Sequence, residues 1–159
     1  MAKIIRNNTS GSIQLSPNFY LSEFTESATA TRAGIDNTPN PLAVVNLFRL
    51  AKLLEDIRKM LGNKVISINS GFRGEEVNRL TGGSLMSEHM TGAAADFTCR
   101  GFGTPLQVCQ AIVKSGIKFG QLIMEGTWVH ISLPDGVNDG DVRTAHFAPG
   151  QKTTYTKGL

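Results

Sequence analysis

The most informative part of the sequence is the ten-residue segment Ser87-Glu88-His89-Met90-Thr91-Gly92-Ala93-Ala94-Ala95-Asp96. It places an imidazole and a carboxylate, two side chains that bind metal ions, seven residues apart. On a continuous helix they would lie about 10 Å apart along the axis, too far for one ion, because zinc ligands lie about 2.0–2.2 Å from the metal. If His89 and Asp96 share an ion, the chain must therefore double back between them. Gly92 permits the positive φ of such a turn, and the alanines allow close backbone packing.

A third ligand and a nearby carboxylate are predicted in the segment Gln121-Leu122-Ile123-Met124-Glu125-Gly126-Thr127-Trp128-Val129-His130-Ile131-Ser132. Two apolar runs flank Gly126-Thr127, and glycine at the first central position is typical of a two-residue hairpin turn. Such a hairpin pairs Glu125 with Trp128 and places His130, two residues further along the strand, on the same face. His130 can then join the metal ligands, and Glu125 can reach a water molecule on the metal.

Together these motifs resemble a known family. A Ser-x-His motif with glycine three residues after the histidine and aspartate seven residues after it is followed, some thirty residues later, by Glu-x-x-Trp-x-His. Upstream stands Ser70-Gly71-Phe72-Arg73. This pattern, over residues 17–148, is similar to the zinc D-Ala-D-Ala carboxypeptidase family and its relatives, which include phage endolysin peptidases, vancomycin-resistance dipeptidases and the hedgehog domain.

The resemblance implies a zinc peptidase that acts on the stem peptides of bacterial peptidoglycan. It implies His89, Asp96 and His130 as zinc ligands, Glu125 as the catalytic carboxylate and Arg73 as an anchor for a substrate carboxylate. A planar guanidinium suits that last role because it can hold a carboxylate through two parallel hydrogen bonds.

Two further residues, Ser87 and Trp128, are interpreted as substrate-binding. Ser87 could instead cap the turn, and Trp128 could instead cover the hairpin face. Some relatives have a histidine at the position of Trp128, so a transition-state hydrogen bond from that position is not expected here. In other relatives the catalytic acid precedes the last ligand by three residues, whereas Glu125 precedes His130 by five.

The chain of 159 residues is long enough for one domain with a hydrophobic core and too short for two ordinary ones. We therefore predict a single zinc peptidase domain over residues 1–159, with residues 1–15 as a loose arm or a short edge strand and residues 149–159 as a loose arm. The fold class implied is α+β, with a small antiparallel sheet that carries the zinc site and packs against helices, as in hedgehog and D-Ala-D-Ala peptidase domains.

Local patterns predict the individual elements. Asn40 caps a helix that starts at Pro41 and stops at Gly62. Helices are also expected at 75–80, at 105–115 behind the cap Thr104, and for one turn capped by Ser22. Strands are expected at 64–69, 94–98, within the hairpin, and at 142–148 as an edge, whereas 27–40 is expected to be loop. In the helix after Thr104 the expected buried face is Leu106, Cys109, Ile112 and Val113.

Composition limits the remaining possibilities. No apolar run approaches the roughly 18 residues of a membrane span, and a net charge of +3 without a basic stripe makes nucleic acid an unexpected partner. The start of the chain lacks the apolar core of a signal peptide, and Cys99 and Cys109 are interpreted as buried free thiols. His146 is interpreted as an ordinary histidine. The acidic loop 135–141 could bind calcium, although its spacing does not fit the EF-hand pattern.

Three functions are compatible with the sequence. The first is hydrolysis at a D-Ala bond of the stem peptide, as carboxypeptidase or endopeptidase, by a monomeric phage lysis or virion-associated enzyme that is made in the cytoplasm. The second is the same chemistry at the L-Ala to D-Glu bond, as in endolysins. The third is a zinc-stabilised, non-catalytic wall-binding or virion component, against which the presence of Glu125 argues.

Overall fold

The computed structural model describes residues 12–137 and 139–159. Its strands are β1 (Gln14–Ser16), β2 (Phe19–Tyr20), β3 (Ser67–Ser70), β4 (Ala94–Thr98), β5 (Gln121–Glu125), β6 (Trp128–Ser132), β7 (Asp141–His146) and β8 (Thr154–Lys157). Its helices are α1 (Leu21–Thr25), α2 (Ala28–Ala33), α3 (Pro41–Met60), α4 (Glu75–Leu80) and α5 (Pro105–Ser115), with a 3₁₀ helix at Glu88–Thr91.

A six-stranded sheet in the order β3-β4-β6-β5-β7-β8 forms the centre of the fold, and β1 pairs with β2 in a separate two-stranded sheet. The α+β class and the hairpin are confirmed, since β5 and β6 are antiparallel and Glu125 pairs with Trp128. The large sheet is mixed rather than wholly antiparallel, because β7 runs parallel to β5. The loop between β6 and β7 allows this crossover to the far side of β5.

The long helix α3 supplies one side of the core. It starts as predicted, because the Asn40 side-chain oxygen accepts a hydrogen bond from the Ala43 amide at 2.9 Å and Pro41 occupies the first turn. Its apolar stripe packs into the same cluster as the buried face of the sheet, which includes Phe97 and Ile131. The fully buried members of that stripe are Leu47, Leu50, Ala51, Leu54 and Ile57.

The helix α5 was predicted correctly in extent and only partly in orientation. Thr104 caps it, accepting a hydrogen bond from the Gln107 amide at 3.3 Å. Its buried residues are Val108, Cys109 and Ile112, whereas Leu106 and Val113, expected in the core, are 39% and 47% exposed. The helix is therefore rotated so that the stripe through 108, 109 and 112 packs inward. Both cysteines are buried and free.

Three expectations for the first half of the chain were wrong. Ser22 does not cap a helix but lies inside α1, which is capped two residues earlier by Tyr20, whose amide donates to the Glu23 carboxylate at 2.8 Å. The segment expected to be loop contains α2, capped by Ser27. This helix was missed because its short Ala-Thr-Ala-Thr-Arg-Ala sequence has no apolar stripe. The strand β3 begins at Ser67 rather than at 64, since Ser67 pairs with the last residue of β4 and the partner chain turns away beyond it.

Strands lie near both ends of the described chain: the short edge strand left open for residues 1–15 is found, and a strand that was not predicted lies within 149–159. Residues 14–16 form β1 and Leu15 is buried, while residues 1–11 of the expected arm lie outside the described residues. The expected terminal arm contains β8, and the expected edge strand β7 lies between β5 and β8. β8 is wholly exposed, so no hydrophobic pattern could indicate it. Among the described residues no helix is both long and apolar enough to cross a membrane.

Candidate metal centre and active-site cleft

Three potential ligands converge on the face of the sheet opposite the hydrophobic core. Asp96 on β4 pairs directly with His130 on β6, so their side chains lie on one face. Nδ1 of His130 lies 2.9 Å and Nε2 of His89 lies 3.3 Å from the same oxygen, Oδ1 of Asp96. The three donor atoms lie within 4.8 Å of one another, and all three residues are buried. This group could hold a metal ion.

The chain reaches this arrangement by doubling back after the 3₁₀ helix, as the sequence required. Gly92 adopts a φ of 73°, and a Cβ on it would lie 2.5 Å from the carbonyl oxygen of Ala43 on α3. Glycine is thus needed for the turn and for the close approach to α3. Ala94 and Ala95, the first residues of β4, are fully buried. The small residues between His89 and Asp96 therefore let the turn seat against the core.

The Ser70-Gly71 part of the upstream motif orients His89. Nδ1 of His89 lies 2.7 Å from the carbonyl oxygen of Gly71. Because a carbonyl oxygen can only accept a hydrogen bond, Nδ1 carries the proton. Nε2, which faces Asp96, is therefore the ring nitrogen that is available to a metal. A Cβ on Gly71 would lie 2.6 Å from the backbone oxygen of Phe24, so this position also requires glycine.

Arg73 contacts the candidate metal group itself. One terminal nitrogen, Nη2, donates to Oδ2 of Asp96 at 3.0 Å, and Nε donates to the Ser70 hydroxyl at 3.0 Å. The two oxygens of Asp96 therefore have different partners: Oδ1 faces the imidazoles and Oδ2 faces the guanidinium. The sequence placed Arg73 at a substrate carboxylate and did not anticipate this ion pair, because the pairing of β3 with β4 brings the two residues together.

The charges of the group are strongly coupled. Burial by itself raises the pKa of Asp96, but its hydrogen bond with His130 and its contact with His89, together with their charges, hold that pKa well below its usual range. For His130, burial lowers the pKa, yet the hydrogen bond and charge of Asp96, with the charges of Glu125 and Glu88, raise it overall. Without a metal, Asp96 therefore favours a proton on His130.

Glu125 lies across the hairpin from Trp128 and accepts a hydrogen bond from its indole Nε1. Burial and the charge of Asp96 raise the pKa of Glu125, against the charge of His130 and the Trp128 hydrogen bond, which lower it. A carboxylate whose pKa is raised toward neutrality is suited to take up and return a proton. Trp128 in turn lies against Phe147, with ring centroids 6.1 Å apart.

A cleft of about 740 Å³ opens over this group. Its lining includes every predicted site residue: Arg73, Ser87, His89, Asp96, Glu125, Trp128 and His130. Ser87 precedes the 3₁₀ helix without capping it through its side chain. The lining also includes residues that the sequence did not indicate: Gln121, Asp141, Arg143, Phe147 and Tyr155. Most of these come from β7, β8 and the loop between them. From the sequence, this part of the chain was expected to be an acidic loop, an edge strand and a loose arm.

The other candidate groups take no part in this three-residue cluster. The imidazole of His146, the exposed last residue of β7, is hydrogen-bonded to the Thr156 hydroxyl at 2.8 Å. In the acidic loop, the carboxylate of Asp139 accepts hydrogen bonds from the amides of Asp135 and Gly136. Over residues 12–137 and 139–159, one cluster of at least three His, Cys, Asp or Glu side chains is arranged to hold an ion, and it consists of His89, Asp96 and His130.

A comparison with protein families places this fold and cleft in a known class of metallopeptidases. The family model described as Peptidase M15 matches residues 17–132, which is well over half of the chain. The chain therefore belongs to the M15 peptidase family, as its resemblance to the zinc D-Ala-D-Ala carboxypeptidases predicted. The match contains all seven predicted site residues and ends before β7 and β8. No curated protein matches the chain.

Proposed function

We propose that the protein is a zinc-dependent peptidase that hydrolyses a D-Ala bond in the stem peptides of bacterial peptidoglycan. The observation that carries the proposal is that His89, Asp96 and His130 converge in the cleft that also contains Glu125. Family membership supports the reaction class. The donors support the choice of zinc, because two imidazoles and one carboxylate, with a fourth position left open, are typical of catalytic zinc sites.

The spacing of the donor atoms fits such an ion. Ligands that surround zinc tetrahedrally at about 2.0–2.2 Å lie roughly 3.3–3.6 Å from one another, close to the 3.3 Å and 2.9 Å that separate Oδ1 of Asp96 from the two imidazoles. When bound, zinc lowers the pKa of a coordinated water and polarises the carbonyl of the scissile bond. The Gly71 carbonyl and Arg73 would hold His89 and Asp96 in the orientation needed for binding.

The side chains around the metal group have distinct proposed roles. Glu125 takes the proton of the attacking water and delivers it to the departing amine. Trp128 donates to Glu125 and so fixes the orientation of its carboxylate. Arg73 lines the cleft and keeps its Nη1 without a hydrogen-bond partner among the described residues, which leaves a donor for a substrate carboxylate. Ser87 lies at the cleft wall, where its hydroxyl is available to the peptide.

The decisive experiment is digestion of purified muropeptides with analysis of the products by mass spectrometry. The wild-type protein with zinc should release D-Ala or open a D-Ala cross-link, and a chelator should abolish the release. Glu125→Gln should lower turnover by about two to four orders of magnitude, the usual contribution of a general base, while its zinc content stays unchanged. Glu76→Gln is the matched control, because Glu76 is an exposed residue whose partner is Arg79.

Other outcomes would identify a different function. Release of L-Ala-linked glycan with intact downstream peptide would assign the enzyme to the L-Ala to D-Glu bond. Unchanged muropeptides in the presence of bound zinc would refute the peptidase and favour a wall-binding or virion component. Full activity of Glu125→Gln would show that another group acts as the base.

A further inference from the structure

We propose that Arg143 determines substrate specificity by binding a carboxylate of the stem peptide that lies two or three residues from the scissile bond. The inference rests on the proposed function and adds to it a second recognition point in the cleft. Arg143 stands on β7, outside residues 17–132, so the match with the family assigns nothing to it.

The position of Arg143 follows from the register of the sheet. Asp96 pairs with His130, His130 pairs with Ile123, and Ile123 pairs with Arg143. Directly paired residues in neighbouring strands present their side chains on the same face. Arg143 therefore stands on the face of the metal ligands, and it lines the cleft together with them.

The same register sets the reach of Arg143 along a bound peptide. β6 and β7 are separated by β5, which is two strand spacings, or roughly 10 Å. An extended peptide advances about 3.3 Å per residue. A peptide that crosses the sheet from the metal centre toward β7 would thus bring its second or third residue from the scissile bond to Arg143.

Asp141, which is itself held by Gln121, fixes the guanidinium of Arg143. Nε of Arg143 donates to Oδ2 of Asp141 at 2.8 Å, and the same oxygen accepts from the Gln121 side chain at 2.8 Å. Within the described part of the chain, neither terminal nitrogen of Arg143 has a hydrogen-bond partner. The side chain is 40% exposed, against 16% for that of Asp141. The edge formed by the two terminal nitrogens is thus the one that remains for a ligand.

Cationic side chains are few in the cleft, whose lining also carries the carboxylates of Glu88, Asp96, Glu125, Asp135 and Asp141. Among the described residues that line it, Arg73 and Arg143 are the two arginine or lysine side chains. Arg73 is engaged by Asp96 and Ser70 next to the metal group, so Arg143 is the cation of the far half of the cleft. A carboxylate fits the terminal edge of a guanidinium in the bidentate arrangement that gives the strongest hydrogen bonds.

The test compares synthetic stem pentapeptides that differ in one carboxylate. In one pair the D-glutamate carboxylate is free or amidated, and in the other the carboxyl terminus is free or amidated. The value of kcat/KM is measured for wild-type protein, Arg143→Gln, Arg143→Lys and the control Arg79→Gln, which removes an exposed arginine outside the cleft. The position of the cut is read from the products.

The wild-type protein should prefer the free acid over the amide by about 10- to 100-fold at the carboxylate two or three residues from the cut, mainly through KM. Arg143→Gln should abolish this preference, Arg143→Lys should keep part of it, and Arg79→Gln should keep it all. If Arg143 only stabilised β7, Arg143→Gln would lower activity on acid and amide alike.

Each contrary result has a separate meaning. Cleavage by the wild type with equal rates for acid and amide, or an unchanged preference in Arg143→Gln, would overturn the role of Arg143 and leave the peptidase intact. A preference confined to the residue that flanks the cut would also overturn it. If the wild type with zinc cleaved no peptide, the proposed function would fail, and this inference would fail with it.

Discussion

At the scale of single residues, Asp96 organises the candidate metal centre. Its inner oxygen contacts both imidazoles and its outer oxygen contacts Arg73. Both oxygens need these partners, because burying a carboxylate without cationic or hydrogen-bonding partners costs free energy. Cationic neighbours therefore stabilise the Asp96 carboxylate even before a metal enters, and the raised pKa of His130 favours a proton there that a metal must displace.

This proton leads to a prediction for the pH dependence of zinc binding. The pKa of His130 is raised in the metal-free protein, so its imidazole remains protonated at a pH where an ordinary histidine is neutral. Below that raised pKa, apparent zinc affinity should fall about tenfold per pH unit for one displaced proton, and above it the affinity should level off. Competition titrations with a chromophoric chelator between pH 5 and 9 measure this. An affinity that does not change with pH would contradict the proton displacement.

At the scale of elements, the connection from the 3₁₀ helix to β4 is the most constrained part of the fold. Two requirements meet at Gly92: a left-handed backbone and a close approach to the Ala43 carbonyl on α3. The added Cβ would be fixed to the backbone of Gly92, and the Ala43 oxygen that it would meet is itself a backbone atom. Neither can easily move aside. The turn is therefore the place where the packing of α3 and the position of His89 depend on each other.

Gly92→Ala should lower the free energy of unfolding by roughly 2–5 kcal/mol, the sum of a left-handed alanine and an overpacked contact. The matched control is Gly116→Ala, where φ is 75° but nothing lies within 4 Å of the added methyl. That variant should lose only about 1–2 kcal/mol. Urea unfolding of the metal-free proteins gives both values. Equal losses in the two variants would show that the contact with α3 is unimportant.

The elements also show what sequence patterns can and cannot predict. α3, α5 and the β5–β6 hairpin have local signals, namely Asn40-Pro41, Thr104-Pro105 and Gly126-Thr127, and each was predicted at the correct place. α2 and β8 lack an apolar periodicity, because few of their side chains are buried, and they were missed. Where hydrophobic burial does not shape a segment, its sequence carries little information about its structure.

The metal group was predictable for a related reason. His89, Asp96 and His130 lie on segments whose local geometry the sequence strongly restricts, so their meeting could be inferred from a turn and a hairpin. The contacts of Arg73 with Asp96 and the place of Arg143 depend on which strands are neighbours in the sheet. That order, above all the parallel pairing of β5 with β7, is set by tertiary packing and has no local signature.

At the scale of the whole molecule, the metal would join distant parts of the chain, since its proposed ligands come from the 3₁₀ helix, β4 and β6. Saturating zinc should therefore stabilise the native protein, by about 4 kcal/mol at a free concentration one thousand times Kd, which raises Tm by roughly 8–16 °C for a chain of this size. His89→Ala should lose this increase. His146→Ala, which changes an exposed histidine, should retain it. Thermal unfolding of each protein with zinc and with a chelator measures the increase in Tm. If His89→Ala retained this increase, His89 would be excluded as a ligand.

The large sheet is built from two parts with different relations to other proteins. The segment from β3 to β6, which includes the 3₁₀ helix, carries the candidate ligands and falls inside the region shared with the family, whereas β7 and β8 lie beyond it and contribute lining residues to the cleft. Mutations in the terminal strands can thus alter which peptides fit without touching the atoms that perform hydrolysis. For protein engineering, this makes the last two strands the natural segment to exchange when a new cell-wall target is wanted.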